Sequence, residues 1–257
     1  MEIINDDLKE FCRDRYTGSM PFEEAFNMYV LLPEFEISSN IFEHTKNYNE
    51  DVQQVVRLAT QYFATLMFKA MKVDMTDPNV AEDLSVGNIS TPGRIAKIFL
   101  ATDNEDMSEP LSGRWTKKPR MASFPNNGKD DPVFVKTRLD ATCSHHLIRF
   151  GDDPKDEDSF VVIGYLPRKK LGGISKINRF VDWCARRGWL QESLAEYIGK
   201  EIMETFETDS VYVALVNLKH GCASTRGACD REAATTTIYS TGEFKKNTDL
   251  VPQKFRG

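Results

Sequence analysis

The sequence predicts an α+β fold built on an antiparallel sheet, and three observations support this prediction. Residues 133–142 and 160–166 are rich in β-branched and aromatic side chains, and the polar segment 151–159 between them favours a hairpin. Two segments with apolar residues at helical spacing follow. Residues 211–219 and 233–240 then supply two more strands. The resulting order, strand, strand, helix, helix, strand, strand (ββααββ), is typical of an α+β domain.

Each of the two predicted helices carries an apolar stripe with a polar opposite face, so each can cover one face of a sheet. The stripe of the first helix consists of Ile174, Ile177, Val181 and Cys184, and that of the second consists of Leu194, Ile198, Ile202 and Phe206. We expect the cysteine in the first stripe to act as a small apolar residue.

The region before this unit is predicted to be helical. Apolar residues recur at helical spacing across residues 51–72, which predicts a long amphipathic helix. Thr91 followed by Pro92 is a cap and first-turn signal for a second helix, which continues through Phe99 and has Arg94 in its first turn.

The sequence therefore divides into three parts. Residues 1–50 form a variable N-terminal arm with no clean period, although residues 22–32 favour a short helix that ends before Pro33. Residues 51–125 form the helical region, and residues 126–257 contain the ββααββ unit.

Charge and composition argue against several classes of partner. The net charge is -6 and the isoelectric point is about 5.4, which disfavours general binding to nucleic acids or anionic membranes. An anionic small molecule is compatible with this charge if basic residues gather at one site. The N-terminus is too polar for a signal peptide, and no apolar stretch approaches the roughly 20 residues of a membrane helix. We therefore expect a cytoplasmic location, with neither a membrane nor a nucleic-acid partner.

Three of the four histidines lie in two clusters that also contain cysteine. Cys143 and His146 stand three residues apart after a predicted strand, and Cys222 lies near the other end of the chain. Thiolate and imidazole are preferred zinc ligands, and three protein ligands leave the fourth position of a tetrahedral ion to water. Because water on zinc ionises near neutral pH, the sequence predicts a hydrolytic zinc centre.

Two further histidines accompany the predicted ligands. His145 lies between two of them and must point elsewhere, so it is free for acid–base work. His220 and Cys222 are two residues apart, and in an extended strand they would face one site together. Two alternatives stay open at this point: a closed structural zinc site with Cys229 as its fourth ligand, and histidines that are merely buried and hydrogen-bonded.

Basic residues near these clusters are candidates for binding an anion. Lys176 and Arg179 are three residues apart and share one helix face, and with Arg94 and Arg226 they could offer four cations to a polyphosphate. Each cation taken alone is equally typical of a solvated surface. Glu192 opens a helix, where the helix dipole favours a carboxylate, but in a pocket it could accept hydrogen bonds from guanine.

At these residues the chain resembles the GTP cyclohydrolase I family, from about Asp51 to Phe244. The resemblance rests on five motifs in a fixed order: residues 91–94 (TPGR), 142–146 (TCSHH), 173–179 (GISKINR), 191–192 (QE), and 220–222 (HGC) followed by Arg226 and Gly227. It implies the tunnelling fold (T-fold), in which the sheets of neighbouring subunits join into a barrel. It also implies a homo-oligomer, usually a decamer, with active sites between subunits and a catalytic domain over residues 126–257.

The resemblance also assigns roles to individual residues. Those matching the zinc ligands are Cys143, His146 and Cys222. Those matching acid–base or ribose-contacting residues are His145, which protonates N7 of the purine, His220, near the metal and ribose, and Ser175, near the ribose ring. Those matching the substrate contacts are Glu192 with Gln191 at the guanine, and Arg94, Lys176, Arg179 and Arg226 at the triphosphate.

The reaction that the resemblance implies converts GTP to 7,8-dihydroneopterin triphosphate and formate, at the start of pterin and folate, or 7-deazapurine, biosynthesis. Water activated by zinc attacks C8 and the imidazole ring opens to a formamide. A second hydration releases formate, and an Amadori rearrangement of the opened ribose precedes ring closure.

The chain departs from the family pattern at two positions. Ser144 stands where the family usually has Glu between the zinc cysteine and the catalytic histidine, and Ser193 replaces an Arg that commonly follows the Gln-Glu pair. Two alternative functions follow. The first is a family member that acts on another guanine nucleotide or stops at the formamide, and the second is a non-catalytic, zinc-stabilised oligomer that binds a nucleotide.

Overall fold

The computed structural model describes residues 4–40, 50–81, 90–100, 110–225 and 229–256. The chain forms two compact units, Met1–Lys117 and Lys118–Gly257. Within the described residues, no helix combines the length and the apolar character that a membrane crossing requires.

The first unit is helical. Its helices are α1 (Asp6–Arg13), α2 (Phe22–Val30), α3 (Glu50–Ala70) and α4 (Thr91–Phe99). A cluster of buried side chains holds α1 and α2 against α3; it includes Leu8, Phe26, Val55, Leu58 and Ala59. The short helix α1, which begins after the capping side chain of Asn5, was not predicted from the sequence.

The predictions for the two later helices of this unit are confirmed with two corrections. In the first half of α3, Val52, Val55 and Ala59 are buried and Val56 is half-buried, but Phe63 and Leu66 at later positions of the same apolar series are exposed. The cap of α4 is Ser90 rather than Thr91, because the Ser90 hydroxyl accepts a hydrogen bond from the backbone N–H of Gly93 at 3.2 Å. Thr91 is instead the first helical residue, and Arg94 lies in the first turn as expected.

The second unit has an α+β fold with antiparallel sheets. Its strands are β1 (Ser123–Pro125), β2 (Val133–Thr137), β3 (Asp140–Thr142), β4 (Arg149–Gly151), β5 (Phe160–Tyr165), β6 (Lys170–Gly172), β7 (Val211–His220) and β8 (Ala234–Ser240). In the main sheet the order is β2-β5-β7-β4-β3, and β8 pairs with β7. Strands β1 and β6 form a separate pair.

The first half of this sheet is more divided than the sequence predicted. Strand β2 pairs with β5 as expected, but the predicted strand 133–142 is interrupted after Thr137, and β3 pairs with β4. The cause is the buried Asp152, whose carboxylate accepts a hydrogen bond from the backbone N–H of Leu139 at 2.5 Å. Four strands therefore stand where the sequence predicted two.

Helices α5 (Ile174–Ala185) and α6 (Gln191–Phe206) follow in the predicted order. All four stripe residues of α6 are fully buried, which confirms the predicted face. On α5 the prediction is wrong for Ile174, which is 64% exposed at the first helical position, whereas Ile177, Val181 and Cys184 are buried.

The short helix α7 (Gly221–Thr225) lies between β7 and β8. The C-terminal segment, which contains helix α8 (Gly242–Lys246), contributes to a hydrophobic core within this unit. Phe244 and Val251 pack with side chains of β5 and β7, among them Phe160, Val162 and Tyr212. All six residues of β5 are buried, and this strand is paired on both sides, with β2 and with β7.

Candidate active site at the end of the main sheet

A tight turn joins β3 to β4 and carries the first cysteine and histidine cluster. The backbone N–H of Cys143 donates to the carbonyl of Ile148 at 2.9 Å, and the N–H of Leu147 donates to the carbonyl of Cys143 at 2.8 Å. Leu147 has a φ of 54°, the left-handed conformation that closes the turn. As a result, the Sγ atom of Cys143 lies 3.8 Å from Nδ1 of His146.

This separation fits two ligands of one zinc ion. Zinc bonds of about 2.3 Å to sulfur and about 2.0 Å to nitrogen at a tetrahedral angle hold the two donor atoms about 3.6 Å apart. The donor types also fit, since a buried thiol and an imidazole are both zinc ligands. Within the described residues, however, no three histidine, cysteine or acidic side chains already converge on a metal position.

Cys222 lies at the same end of the sheet, but in a different conformation from the one predicted. Strand β7 ends at His220, and Cys222 belongs to the helical turn α7, so the argument from alternating strand residues was wrong. A Cβ atom on Gly221 would lie 2.4 Å from Cγ2 of Ile148, so glycine permits this close approach. Ile148 is therefore adjacent both to Cys143, through its carbonyl, and to the residue that precedes Cys222.

Three side chains contact the imidazole of His220. Its ring stacks on Phe150 of the neighbouring strand with centroids 4.9 Å apart. Its Nε2 atom lies 2.7 Å from Oε1 of Gln191 and 3.0 Å from Oγ1 of Thr235. Burial lowers the pKa of His220, and the negative charge of Glu192 acts in the opposite direction. Nothing in the sequence singles out Thr235, because its contact depends on how β8 pairs with β7.

The segment between α5 and α6 connects the surroundings of this histidine to the turn between β3 and β4. The N–H of Trp189 donates to the carbonyl of Thr142 at 2.9 Å, and the N–H of Ser144 donates to the carbonyl of Trp189 at 3.0 Å. These two bonds form a parallel bridge between Trp189 and Cys143. The first turn of α6, which carries Gln191 and the exposed Glu192, thus begins two residues after a backbone tied to the proposed ligand.

A buried arginine in the same segment was also missed. Arg187 is 5% exposed, and its guanidinium lies 4.3 Å from the ring centroid of Trp183 and 5.1 Å from that of Tyr197. Its Nη1 donates a hydrogen bond to the Tyr197 hydroxyl at 3.1 Å. The available signal was a pair of arginines close to a tryptophan in the short connection between two amphipathic helices.

The predicted anion-binding residues are less tightly held. Ser175 and Arg179 are exposed and Lys176 is half-buried, all in the first half of α5. Arg94 belongs to the first unit, and Arg226 lies outside the described residues. Cys229, the fourth ligand of the closed-site alternative, is exposed.

Comparisons with known proteins identify the family. The family model described as GTP cyclohydrolase I matches residues 75–256. The GTP cyclohydrolase 1 of Shewanella amazonensis is 34% identical over 180 residues, covering 69% of this chain and 73% of the relative. That of Photobacterium profundum is 31% identical over 200 residues, covering 77% and 82%.

Among solved structures, the crystal structure of the archaeosine synthase QueF-Like in the apo form matches with 19% identity and a TM-score of 0.33. It covers 44% of this chain and 96% of that chain. A TM-score this low supports no conclusion about fold or function.

The family match defines the class of the protein as a hydrolase that acts on the C–N bonds of cyclic amidines. Within that class, the chain belongs to the GTP cyclohydrolase I family of enzymes. The resemblance recognised from the five motifs is thereby confirmed.

Proposed function

We propose that this chain is a zinc-dependent enzyme that converts GTP to 7,8-dihydroneopterin triphosphate and formate, at the start of pterin and folate, or 7-deazapurine, biosynthesis. The observation that carries the proposal is the Cys143–His146 pair at 3.8 Å. A backbone bridge joins Cys143 to Trp189, two residues before Gln191, whose side chain contacts His220. Metal ligands and an oriented acid–base group in one place are what hydrolysis of a ring C–N bond requires.

The metal would be held by Cys143 through Sγ, His146 through Nδ1, and Cys222. Zinc bound there supplies a Lewis acid that activates water for hydrolysis. Because no three donor side chains converge within the described residues, the proposal requires Cys222 to approach the other two ligands when the metal binds.

His145 is proposed to donate the proton to N7 of the guanine. It is exposed on the turn, and its ring meets that of His146 edge to face with centroids 6.0 Å apart. An imidazole nitrogen can both give and recover a proton, which suits it to this role. His220 is proposed to hold and move a proton near the ribose, where Ser175 makes a further contact.

Substrate recognition is proposed to combine a carboxylate and a set of cations. Glu192 accepts hydrogen bonds from the ring N–H and exocyclic amine of guanine, and Gln191 supports it indirectly, as the buried first residue of the same helical turn. The triphosphate is bound by Arg94, Lys176, Arg179 and Arg226. The position of Lys176 and Arg179 at the N-terminal half of α5 favours phosphate binding, because the helix dipole adds positive potential there.

We further propose that the chain assembles with itself as a homodecamer, with sheets joined into a barrel and active sites between subunits. Within the described residues, β8 pairs along one edge alone, with β7, and it exposes Ile238. An exposed strand edge is a natural place for another strand to pair. The same proposal treats residues 1–50 as a variable arm, 51–125 as a helical region and 126–257 as the catalytic domain.

The decisive experiment incubates the purified, zinc-loaded protein with GTP and quantifies formate and, after oxidation, pterin fluorescence. Both products together support the full reaction. Formate without pterin would favour an enzyme that stops before rearrangement, an outcome for which Ser144 in place of the usual acidic residue gives the motive. If neither formate nor pterin is formed, the proposal is contradicted, and another nucleotide substrate or a binding role is favoured.

Two cysteine variants test the metal assignment. Cys222→Ser is expected to lose both bound zinc and turnover, because it removes one of three proposed ligands. Cys229→Ser is the matched control, since this exposed thiol lies in the same region and has no role in the open site. Loss of zinc in both variants would instead support a closed four-ligand site, and retention of zinc and activity in Cys222→Ser would rule out the proposed ligand set.

A further inference from the structure

The side-chain amide of Gln191 is fixed in one orientation. Gln191 is 3% exposed, and its Nε2 donates hydrogen bonds to Oγ1 of Thr237 at 3.1 Å and to the carbonyl of Thr235 at 3.3 Å. An amide nitrogen has two hydrogens, and both are used by these acceptors. Oε1 therefore has to face the opposite side, toward His220.

This orientation selects one tautomer of the histidine. Oε1 of Gln191 accepts a hydrogen bond from the Thr235 hydroxyl at 2.7 Å and lies 2.7 Å from Nε2 of His220. An amide oxygen only accepts, so Nε2 has to carry a hydrogen for the second contact to be favourable. In the neutral ring Nδ1 is then the nitrogen without a hydrogen, which can only accept a hydrogen bond.

We propose that Thr235 is a positioning residue that, together with Gln191, holds His220 in the Nε2–H tautomer and in one ring orientation. This inference rests on the proposed function for the role of His220, but its structural part concerns the side chains alone. The Thr235 hydroxyl donates to Gln191, and its oxygen lies 3.0 Å from Nε2 of His220, so it touches both partners. Thr235 acts through the histidine and is not expected to contact the substrate.

The strand alternation of β8 supplies the reason that Thr235 reaches this position. Residues two apart on a strand share a face, and Thr235 and Thr237 both bond to Gln191. Thr236 between them points the other way and bonds to Asn217, whose backbone N–H donates to its hydroxyl at 3.0 Å. Thr236 is therefore a matched control, because it is the same residue type on the same strand with a comparable hydrogen bond outside the site.

The kinetic test compares Thr235→Val, Thr235→Ser and Thr236→Val in the zinc-loaded protein. Thr235→Val keeps the shape but removes the hydroxyl, and we expect kcat to fall about tenfold while KM for GTP and zinc content stay within about twofold. Thr235→Ser restores the hydroxyl and is expected to recover kcat to within about threefold. Thr236→Val should retain the wild-type kcat. Equal losses in the two valine variants, or no loss in Thr235→Val, would overturn the proposal.

A spectroscopic test is independent of turnover. Because the chain contains four histidines, protein labelled with 15N-histidine gives a small set of imidazole signals by solid-state NMR, and His220→Asn identifies those of His220. We expect a protonated Nε2 and an unprotonated Nδ1 in the wild type and in Thr236→Val, and a mixture of tautomers in Thr235→Val.

The two tests separate the failure of this inference from the failure of the proposed function. An inactive wild-type protein with the expected Nε2–H signal would contradict the function and leave the positioning role of Thr235 intact. An active wild-type protein whose His220 carries its hydrogen on Nδ1 would overturn the positioning role and leave the function intact.

Discussion

The first turns of α5 and α6 both carry proposed site residues, but they are built differently. At the start of α6, Gln191 is buried and its amide bonds to Thr235, Thr237 and His220, so the proposed acid–base group has a fixed orientation without a ligand. At the start of α5, Ser175 is exposed, and so is Arg179 in the second turn. Under the proposed function, the buried residues at the start of α6 (the rigid side) would support the chemistry, and the exposed residues of the first half of α5 (the exposed side) would supply charge for binding.

This division predicts which kinetic constant each substitution should change. A residue of the rigid side acts mainly in the transition state, so its loss should lower kcat. A residue of the exposed side binds the triphosphate in the ground state and the transition state alike, so its loss should raise KM and leave kcat unchanged.

The largest effect is expected for His145→Asn. This change removes the proposed proton donor without removing a ligand, so kcat should fall at least about a hundredfold while zinc content stays the same. Zinc stoichiometry and steady-state kinetics with GTP measure the two quantities on one sample. A parallel loss of zinc would mean that His145, rather than His146 alone, takes part in binding the metal.

A smaller effect is expected for Arg179→Met, on the exposed side. Removing one cation from the proposed triphosphate contacts should raise KM for GTP about tenfold with little change in kcat, and added salt should reduce the difference. The matched control is Arg168→Met, an exposed cation of the same unit in a pair with Asp209 at 3.4 Å. Equal KM values for the two variants would contradict a triphosphate role for Arg179.

Features that depend on local sequence could be predicted, whereas features that depend on contacts between distant residues could not. The stripe of α6 could be predicted because its period of apolar residues is local, and the family motifs marked the cysteines and histidines directly. The break between β2 and β3 could not, because it depends on the buried carboxylate of Asp152 meeting Leu139 from 13 residues away. Thr235 was missed for the same reason, since its partner Gln191 is 44 residues distant.

Arg187 was also missed because its contacts depend on the tertiary structure. It packs against aromatic side chains that surround the start of α6. Its guanidinium is buried among the rings of Trp183 on α5, Tyr197 on α6 and Trp189, the residue whose backbone is bridged to Cys143. The Tyr197 hydroxyl accepts one of its hydrogen bonds, and burial raises the pKa of Tyr197. The tyrosine is therefore expected to stay protonated across the range in which the enzyme is assayed.

Tyr197→Phe is expected to have the smallest effect of the three. It keeps the ring over Arg187 but leaves one guanidinium N–H buried without this acceptor, which should lower the free energy of unfolding by about 1–2 kcal/mol. Tyr239→Phe serves as the control, because within the described residues the Tyr239 hydroxyl has no hydrogen-bond partner. Denaturant unfolding measures both variants. If Tyr197→Phe is as stable as the control, the hydrogen bond does not anchor Arg187, and the rigidity of the α6 side has to come from the backbone bridge at Trp189 and from the Gln191 amide alone.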